Sequence, residues 1–583
     1  MSDSVLVPTD RPPDLVTFTV LVGGQALPQT VQLLEASVTF AANRVARARL
    51  SFRDGDAAEQ TFALSEQGLF DPGAEIEFKV GYHREEKTIF KGVVVIQRIQ
   101  AKARQPARLV VECRHKAALM TLARKTHQFA EQTDSDTISA ILGDYSLAGE
   151  VTSTSASHPQ MVQWNSTDWD FLLLRARANG LLVLPTLDKI NVVEPDFSAD
   201  APFGLAYGTT LESFEAEIDA RLQPASTKTH AWDPSQQERR ESEATSSPEP
   251  AESSLDGATL ADATGDQEEV SWHAGDAADD ELAAWAKGNF LRTRLAKVRG
   301  TARCRGTADL TIGSVLKLEG LGDRFNGPAF VSAVQHQVMN GDWTTELQIG
   351  LDPAWFSFDQ CGVVTTAQGL LPRIGGLHIG VVKQLASDPA GGERILVDLP
   401  VALPDGQGLW ARLATLEAGA NRGFVFRPEI GDEVIVGFFE EDPRHPVVLG
   451  SLHSGANASP ISADDANPQK GYTSKSELKL IFDEENKVIT LSTPGGNKLI
   501  LSDQDQGITL EDQNGNKLVM SPDTVKLESA AKLEQKSATD FKLDGGTTFA
   551  AKAATTMTLE GSSSASFKSS GSTEVKGSLV KIN

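Results

Sequence analysis

From Val525 the chain reads VKLESAAK, LEQKSATD, FKLDGGTT, FAAKAATT, MTLEGSSS, ASFKSSGS, TEVKGSLV and KIN, seven units of eight residues and a remainder ending at Asn583. The first position of each unit is Val525, Leu533, Phe541, Phe549, Met557, Ala565 or Thr573, and the third is Leu527, Gln535, Leu543, Ala551, Leu559, Phe567 or Val575. Residues two apart in an extended chain point to one face, so each unit presents a narrow, mostly apolar edge. Positions five and six are Ser, Ala or Gly throughout, which predicts a tight corner there. One strand, one corner and one apolar edge per unit describe a β-helical rod. A strip this narrow cannot bury itself, and several chains wound around one another would supply the shared core it needs. The expected core positions are Val525, Leu527, Leu533, Phe541, Leu543, Phe549, Met557, Leu559, Phe567 and Val575. At one strand spacing per unit the rod would be about 35 Å long.

Just upstream, GNKLILS at 496 and GNKLVMS at 515 repeat at a spacing of nineteen. Their Gly-Asn turn signals predict wider hairpin-like strands at the base of the rod. From Ser476 onward there is no His, Cys, Trp, Tyr or Arg, which suits a solvated face over a thin core.

The rest of the chain is also mainly β. LVTFTVLVGG, EIEFKVGY, TIFKGVVVIQRI and ARLVVECR alternate apolar and polar residues between Gly, Pro and Asp turns. Leu119, Leu122 and Ala123 predict a helical stretch, Ile138, Ile141 and Leu142 a second, and Thr167 with Asp170 caps a third that Gly180 ends. Residues 224–270 turn abruptly to Ser, Glu, Asp, Ala and Pro and read as a disordered acidic excursion. A helix over DDELAAWAKGNFLRTRLAKV and further strands then resume the β domain.

Across 583 residues, 40% apolar content is enough for several cores, while a formal charge of -25 argues against nucleic acid or an anionic membrane as principal partner. MSDSVLVPTDRPPD is acidic where a signal peptide is basic, so synthesis and first assembly in the cytoplasm are expected. Cys113, Cys304 and Cys361 are far apart and read as reduced core thiols.

A compact all-β unit runs PRIGGLHIGVVKQL, RILVDLPVA, LWARLATLEAG and RGFVFRPEIGDEVIVGFFEEDPRHPVVLGSLHSG. Its F-x-P-x-x-G-D-E-V-x-V-x-F block and D-P-x-x-P-V-V-x-G turn and strand resemble the OB-fold of VgrG-type spike proteins of contractile injection systems, relatives of phage tail hubs. Upstream, STDWDFLLLRARANGLLV and GLGDRFNGPAFVSAVQHQV look like that family's hub domain. The resemblance implies a hub over 1–360 carrying the acidic insertion at about 224–270, an OB-fold at 372–455, a linker at 456–475 and a β-helical needle at 476–583. It further implies a homotrimeric, passive penetrator that joins the inner tube and baseplate to a needle. The needle would be capped by a PAAR-type tip protein carrying its own metal, with effector cargo as a possible passenger and only transient contact with the target membrane. Either type VI secretion or a free phage-tail-like particle would use such a part.

Candidate chemistry is sparse. Glu440, Glu441 and Asp442 cluster but read as turn residues between strands, and Asp168 and Asp170 as helix-start charges. None of the ten histidines stands in H-E-x-x-H or C-x-x-C spacing, so neither metal nor cofactor is expected. The rival readings are a spike-borne enzyme and a receptor-binding or polysaccharide-degrading tailspike. Only about twenty residues separate collar from needle, which leaves no room there for a catalytic domain. At the C-terminus, Leu579, Val580, Lys581, Ile582 and Asn583 are expected to shift the octad phase and form an apolar platform for the tip protein.

Overall fold

The computed structural model describes residues 5–7, 14–197, 201–249, 254–352, 366–367, 370–404 and 406–582. Cys361, Asn583 and most of the break at 360–371 lie outside them. Two compact units are present, residues 1–457 and 458–583.

In the first unit, the strands Thr17–Val22, Leu33–Ala41, Arg47–Arg53, Glu75–Tyr82, Glu85–Gln100 and Arg108–Arg114 join Phe203–Ala206, Leu211–Ile218, Val298–Arg305, Val315–Glu319, Gly327–Met339 and Asp342–Ile349 in one 14-stranded sheet. The joint is the 13-residue strand Gly327–Met339, which runs antiparallel to Leu33–Ala41 from Ala333 opposite Ala41 to Met339 opposite Glu35. Period-two alternation places Leu50, Phe52, Phe78, Val80 and Val111 in one core beneath the first half, and Leu316, Leu318, Val331 and Leu347 in another beneath the second. Cys113 and Cys304 are buried free thiols in those cores, and burial pushes each up to about 12.

The helices Asp134–Asp144 and Asp168–Ala178 share a core, and Asp279–Leu295 packs Leu291 and Leu295 with Phe330 of the large sheet. Thr167 accepts a hydrogen bond from Asp170 N at 3.1 Å, and Gly180 takes the left-handed conformation (φ +68°) just beyond the helix end. Gly180 also lets the helix end close on Gly288: a Cβ on Gly288 would lie 2.8 Å from Gly180 N. The expected helix around Leu119, Leu122 and Ala123 is instead a short 3-10 turn, Lys116–Thr121, followed by a strand, Arg124–Phe129. Ala117 and Met120 are its buried residues, while Leu119 and Leu122 are exposed.

The acidic excursion is not disordered where it is described. Ser226–Asp233 pairs antiparallel with Glu238–Ala244 and parallel with Glu268–Trp272, and a helix, Gly257–Ala263, is capped by Asp256. Composition misleads here because the polar residues find partners. Thr227 and Thr229 are fully buried and donate to Ala286 O (2.7 Å) and Leu282 O (2.9 Å) of the helix Asp279–Leu295.

His378–Gln384, Ile395–Asp398, Leu409–Leu413, Glu433–Phe438 and Pro446–Ser451 close a five-stranded barrel. Its core alternates along each strand: Ile395 and Val397, Leu409 and Ala411, Val434 and Val436. Gly431 (φ +93°) and Asp432, whose carboxylate accepts from Glu429 N at 2.8 Å, form the turn that starts the fourth of these strands.

The second unit begins with an antiparallel meander of seven strands from Gln469–Thr473 to Val525–Glu528. The first strand lies inside the stretch expected to be linker. At the two Gly-Asn repeats, Gly496 (φ +101°) and Gly515 (φ +88°) make the turns. Asn497 Oδ1 accepts from Gln513 N (3.1 Å) and Asn516 Oδ1 from Ala530 N (2.9 Å), so each asparagine ties its turn to the next.

Candidate functional site

Two features stand out: an uncovered apolar stripe in the second unit and a buried chain of charges in the first. In the meander, Leu480, Leu491, Leu499, Leu510, Leu518 and Leu527 stand opposite one another from strand to strand. A second row, Phe482, Ile489, Leu501, Ile508, Met520 and Val525, runs beside it on the same face. Neither row is covered: Leu491 is 52% exposed and Leu510 51%.

Val525 and Leu527 end these rows and open the octads. From 530 the chain bends at 530–531, 538–539, 546–547, 554–555, 562–563, 570–571 and 578–579, once in every eight residues. The corner therefore falls on positions six and seven, one residue later than expected. Leu533, Phe541, Leu543, Phe549, Met557, Leu559, Phe567 and Val575 are all exposed in the single chain. Among the described residues beyond Glu528, no backbone–backbone hydrogen bond forms within the chain. Apart from a few bonds to side chains, such as Ala530 N to Asn516 Oδ1, an extended segment in that state has its backbone donors and acceptors still to satisfy.

The bends keep their phase through 578–579, so the expected phase shift at the tip is absent from the backbone. Leu579, Val580 and Ile582 are exposed there, and Asn583 lies outside the described residues.

The buried chain of charges starts at Asp134, which takes Arg175 Nε at 2.6 Å and Nη2 at 2.9 Å, with His158 Nε2 at 3.3 Å. Arg175 is 0% exposed and also donates to Leu370 O. It stands 4.0 Å from Glu281, which pairs with Arg444, and Arg444 holds Asp442 through Nη2 at 2.8 Å. Asp442 in turn lies 3.4 Å from His273 Nε2, and the His273 and His445 ring centres are 5.1 Å apart. Burial alone would raise the Asp442 carboxyl, but the Arg444 guanidinium outweighs it and holds the group well below the usual carboxylate range. Burial pushes the His445 imidazole down to about 3.

The three acidic turn residues thus separate. Asp442 is buried in the chain of charges, Glu441 pairs with Arg373 at 2.7 Å, and Glu440 lies 3.5 Å from His273 Nδ1. Asp168 does more than start a helix: it is buried and accepts from Tyr145 Oη (2.5 Å), Lys125 Nζ (2.6 Å) and Gln163 Nε2 (2.9 Å). Linear spacing hid the meeting of His273, Asp442 and His445, because only folding brings the end of the acidic excursion to the barrel turn. No helix among the described residues is long and apolar enough to cross a membrane.

A family model described as the Alg8 N-terminal domain matches residues 12–340, more than half of the chain. One described as the type VI secretion system/phage-baseplate injector OB domain matches 378–453, and one described as the phage baseplate V C-terminal trimerisation domain matches 488–583. The chain belongs to the family of the first of these models, and its barrel and C-terminal unit are similar to the corresponding domains of type VI secretion and phage-baseplate spikes. Among curated VgrG proteins, the type VI secretion system spike protein VgrG1c of Pseudomonas aeruginosa is 36% identical over 67 residues, 12% of this chain and 9% of that one. VgrG3 of Vibrio cholerae is 36% identical over 56 residues, 10% of this chain and 6% of that one. These matches span a tenth or less of the curated VgrG relatives' length. Likeness of fold extends much further: a chain of the Francisella PdpA-VgrG complex aligns over 85% of this chain and 80% of that one, at 12% identity and a TM-score of 0.53.

Proposed function

We propose that this chain is the structural central spike of a phage-tail-like contractile injection apparatus and works as a homotrimer. The observation that carries the reading is the pair of apolar rows that leaves the meander at Val525 and Leu527 and continues into octads that, among the described residues beyond Glu528, make no backbone–backbone hydrogen bond within the chain. Three copies would satisfy both needs together. The first and third octad positions Val525, Leu527, Leu533, Phe541, Leu543, Phe549, Met557, Leu559, Phe567 and Val575 form the shared core, and inter-chain strand pairing leaves no free edge along the shaft. A seam of backbone hydrogen bonds closed in this way is stiff under axial load.

In this reading the N-terminal β domain and barrel dock to inner tube and baseplate proteins, and the octads form the needle that punctures the target. Leu579, Val580, Lys581, Ile582 and Asn583 seat a PAAR-type tip protein. The protein assembles in the bacterial cytoplasm and leaves with the contracting particle, with or without effector cargo. The work is mechanical: the acidic turn residues are spent on structural pairs, and no turnover of peptidoglycan or polysaccharide is expected. Locating a labelled copy of this chain by electron microscopy of the assembled particle tests the proposal. Density on the tube axis at the baseplate supports it, and density on the sheath or fibres contradicts it.

A further inference from the structure

His273 directly follows the strand Glu268–Trp272, whereas Asp442 and His445 sit on the turn between the barrel strands Glu433–Phe438 and Pro446–Ser451. One ligand atom from each of these three residues lies within 4.8 Å of the others. His273 Nε2 stands 3.4 Å from Asp442 Oδ2. Two ligands on one tetrahedral zinc ion, each about 2.0–2.1 Å from the metal, are separated by about 3.3 Å. On the other side of the same ring, His273 Nδ1 stands 3.5 Å from Glu440 Oε2. A carboxylate behind the non-ligating nitrogen is the usual support of a metal-bound imidazole, because it fixes both tautomer and ring plane.

Hydrogen bonding alone does not account for the cluster. Neither ring nitrogen of His273 nor Nε2 of His445 has a hydrogen-bond partner, although all three atoms are buried. Buried polar atoms left in this state are uncommon and point to something that completes them. Gly275 lets the chain close over the His445 ring: a Cβ there would lie 2.2 Å from Cδ2. Charge points the same way. Along the network four carboxylates, Asp134, Glu281, Glu440 and Asp442, face two guanidinium groups, Arg175 and Arg444, an excess of two negative charges. Arg444 donates to both Asp442 oxygens and so fixes the carboxylate whose Oδ2 faces His273.

We propose that His273, Asp442 and His445 bind one divalent cation of the zinc class, with Glu440 positioning the His273 ring. Imidazole and carboxylate donors suit zinc, and the buried setting with guanidinium support suits a structural ion. Such an ion clasps the three-stranded sheet of the acidic excursion to the barrel, so that the two move together under load. The site is independent of the spike role, since it needs only the fold of residues 1–457.

The test uses the untagged full-length protein, stripped with a chelator and titrated with Zn2+ alone by calorimetry, then with Co2+ followed by its visible absorption. One ion per protomer, a tetrahedral Co2+ spectrum and a higher melting temperature with Zn2+ are expected. The double variant H273Q/H445Q should lose all three. Glu440→Gln, at a more exposed position, should keep the fold and the stoichiometry but weaken Zn2+ binding by about ten- to a hundredfold. Failure of the wild-type protein to bind Zn2+, or unchanged binding in the double variant, overturns the proposal. If the double variant does not fold, Glu440→Gln decides, and unchanged affinity there overturns it.

Discussion

Leu518 stands directly opposite Leu527 in the last antiparallel pair of the meander, and Leu527 is also the third residue of the first octad. The apolar row built across the sheet therefore passes into the repeat without a step, as required if one continuous core runs the length of the unit. A charge in that core would be buried once per chain around a common axis. Phe541→Asp or Leu543→Asp should cost several kcal/mol for each buried ion. Thermal melts of the variants should show a large drop or loss of the assembled form, and a variant as stable as wild type would contradict a shared core.

The fully buried Arg175 depends on Asp134. Asp134→Asn should cost about 3–5 kcal/mol in urea denaturation, because it leaves the guanidinium without its carboxylate in a dry site. The sign of the pH effect follows from the same pair. Burial would raise the Asp134 carboxyl, but Arg175 and His158 outweigh it and hold it well below the usual carboxylate range. Its contribution is then fully present above the unfolded value of about 3.9 and is lost as the pH falls through the folded value. Melting temperature should fall below about pH 4 in the wild type, and less steeply in Asp134→Asn.

Much of this was legible in the sequence, for identifiable reasons. Glu75–Tyr82 matches EIEFKVGY residue for residue, because alternation between Ile76, Phe78 and Val80 needs only a half-buried strand to express it. Thr167 and Asp170 gave the helix start for a similarly local reason. Arg47–Arg53 alternates as clearly in RARLSFR and could have been read the same way. What stayed hidden was tertiary. The buried threonines of Ser226–Asp233 look unfoldable until the helix Asp279–Leu295 supplies carbonyls, and His273 acquires meaning only beside the barrel turn. Leu119 and Leu122 have helical spacing, yet the chain turns there to begin the strand Arg124–Phe129 and leaves both exposed.

Deleting residues 238–266 removes the strand Glu238–Ala244 and the helix Gly257–Ala263 from the sheet over Asp279–Leu295. The melting temperature of the first unit should therefore fall. An unchanged melt would show that the excursion contributes nothing to stability.

Gly288→Ala places a methyl group 2.8 Å from Gly180 N and 3.0 Å from Arg177 O, both backbone atoms that cannot swing aside. A loss of about 1–3 kcal/mol in chemical denaturation is expected, as for overpacked cores.

Removing residues 580–583 takes away the exposed Val580 and Ile582 at the tip. Binding of a PAAR-type tip protein, followed by pull-down with purified components, should be lost while the assembly of this chain persists. Equal binding by truncated and full-length chains would contradict a docking role for the tip.

Light scattering coupled to size-exclusion chromatography, on the full-length protein and on a chain ending at 524, tests the trimeric spike most directly. The mass of three protomers is expected for the full-length chain, and a weakened or lost trimer without the octads. A full-length protein that runs as a monomer at micromolar concentration would contradict it.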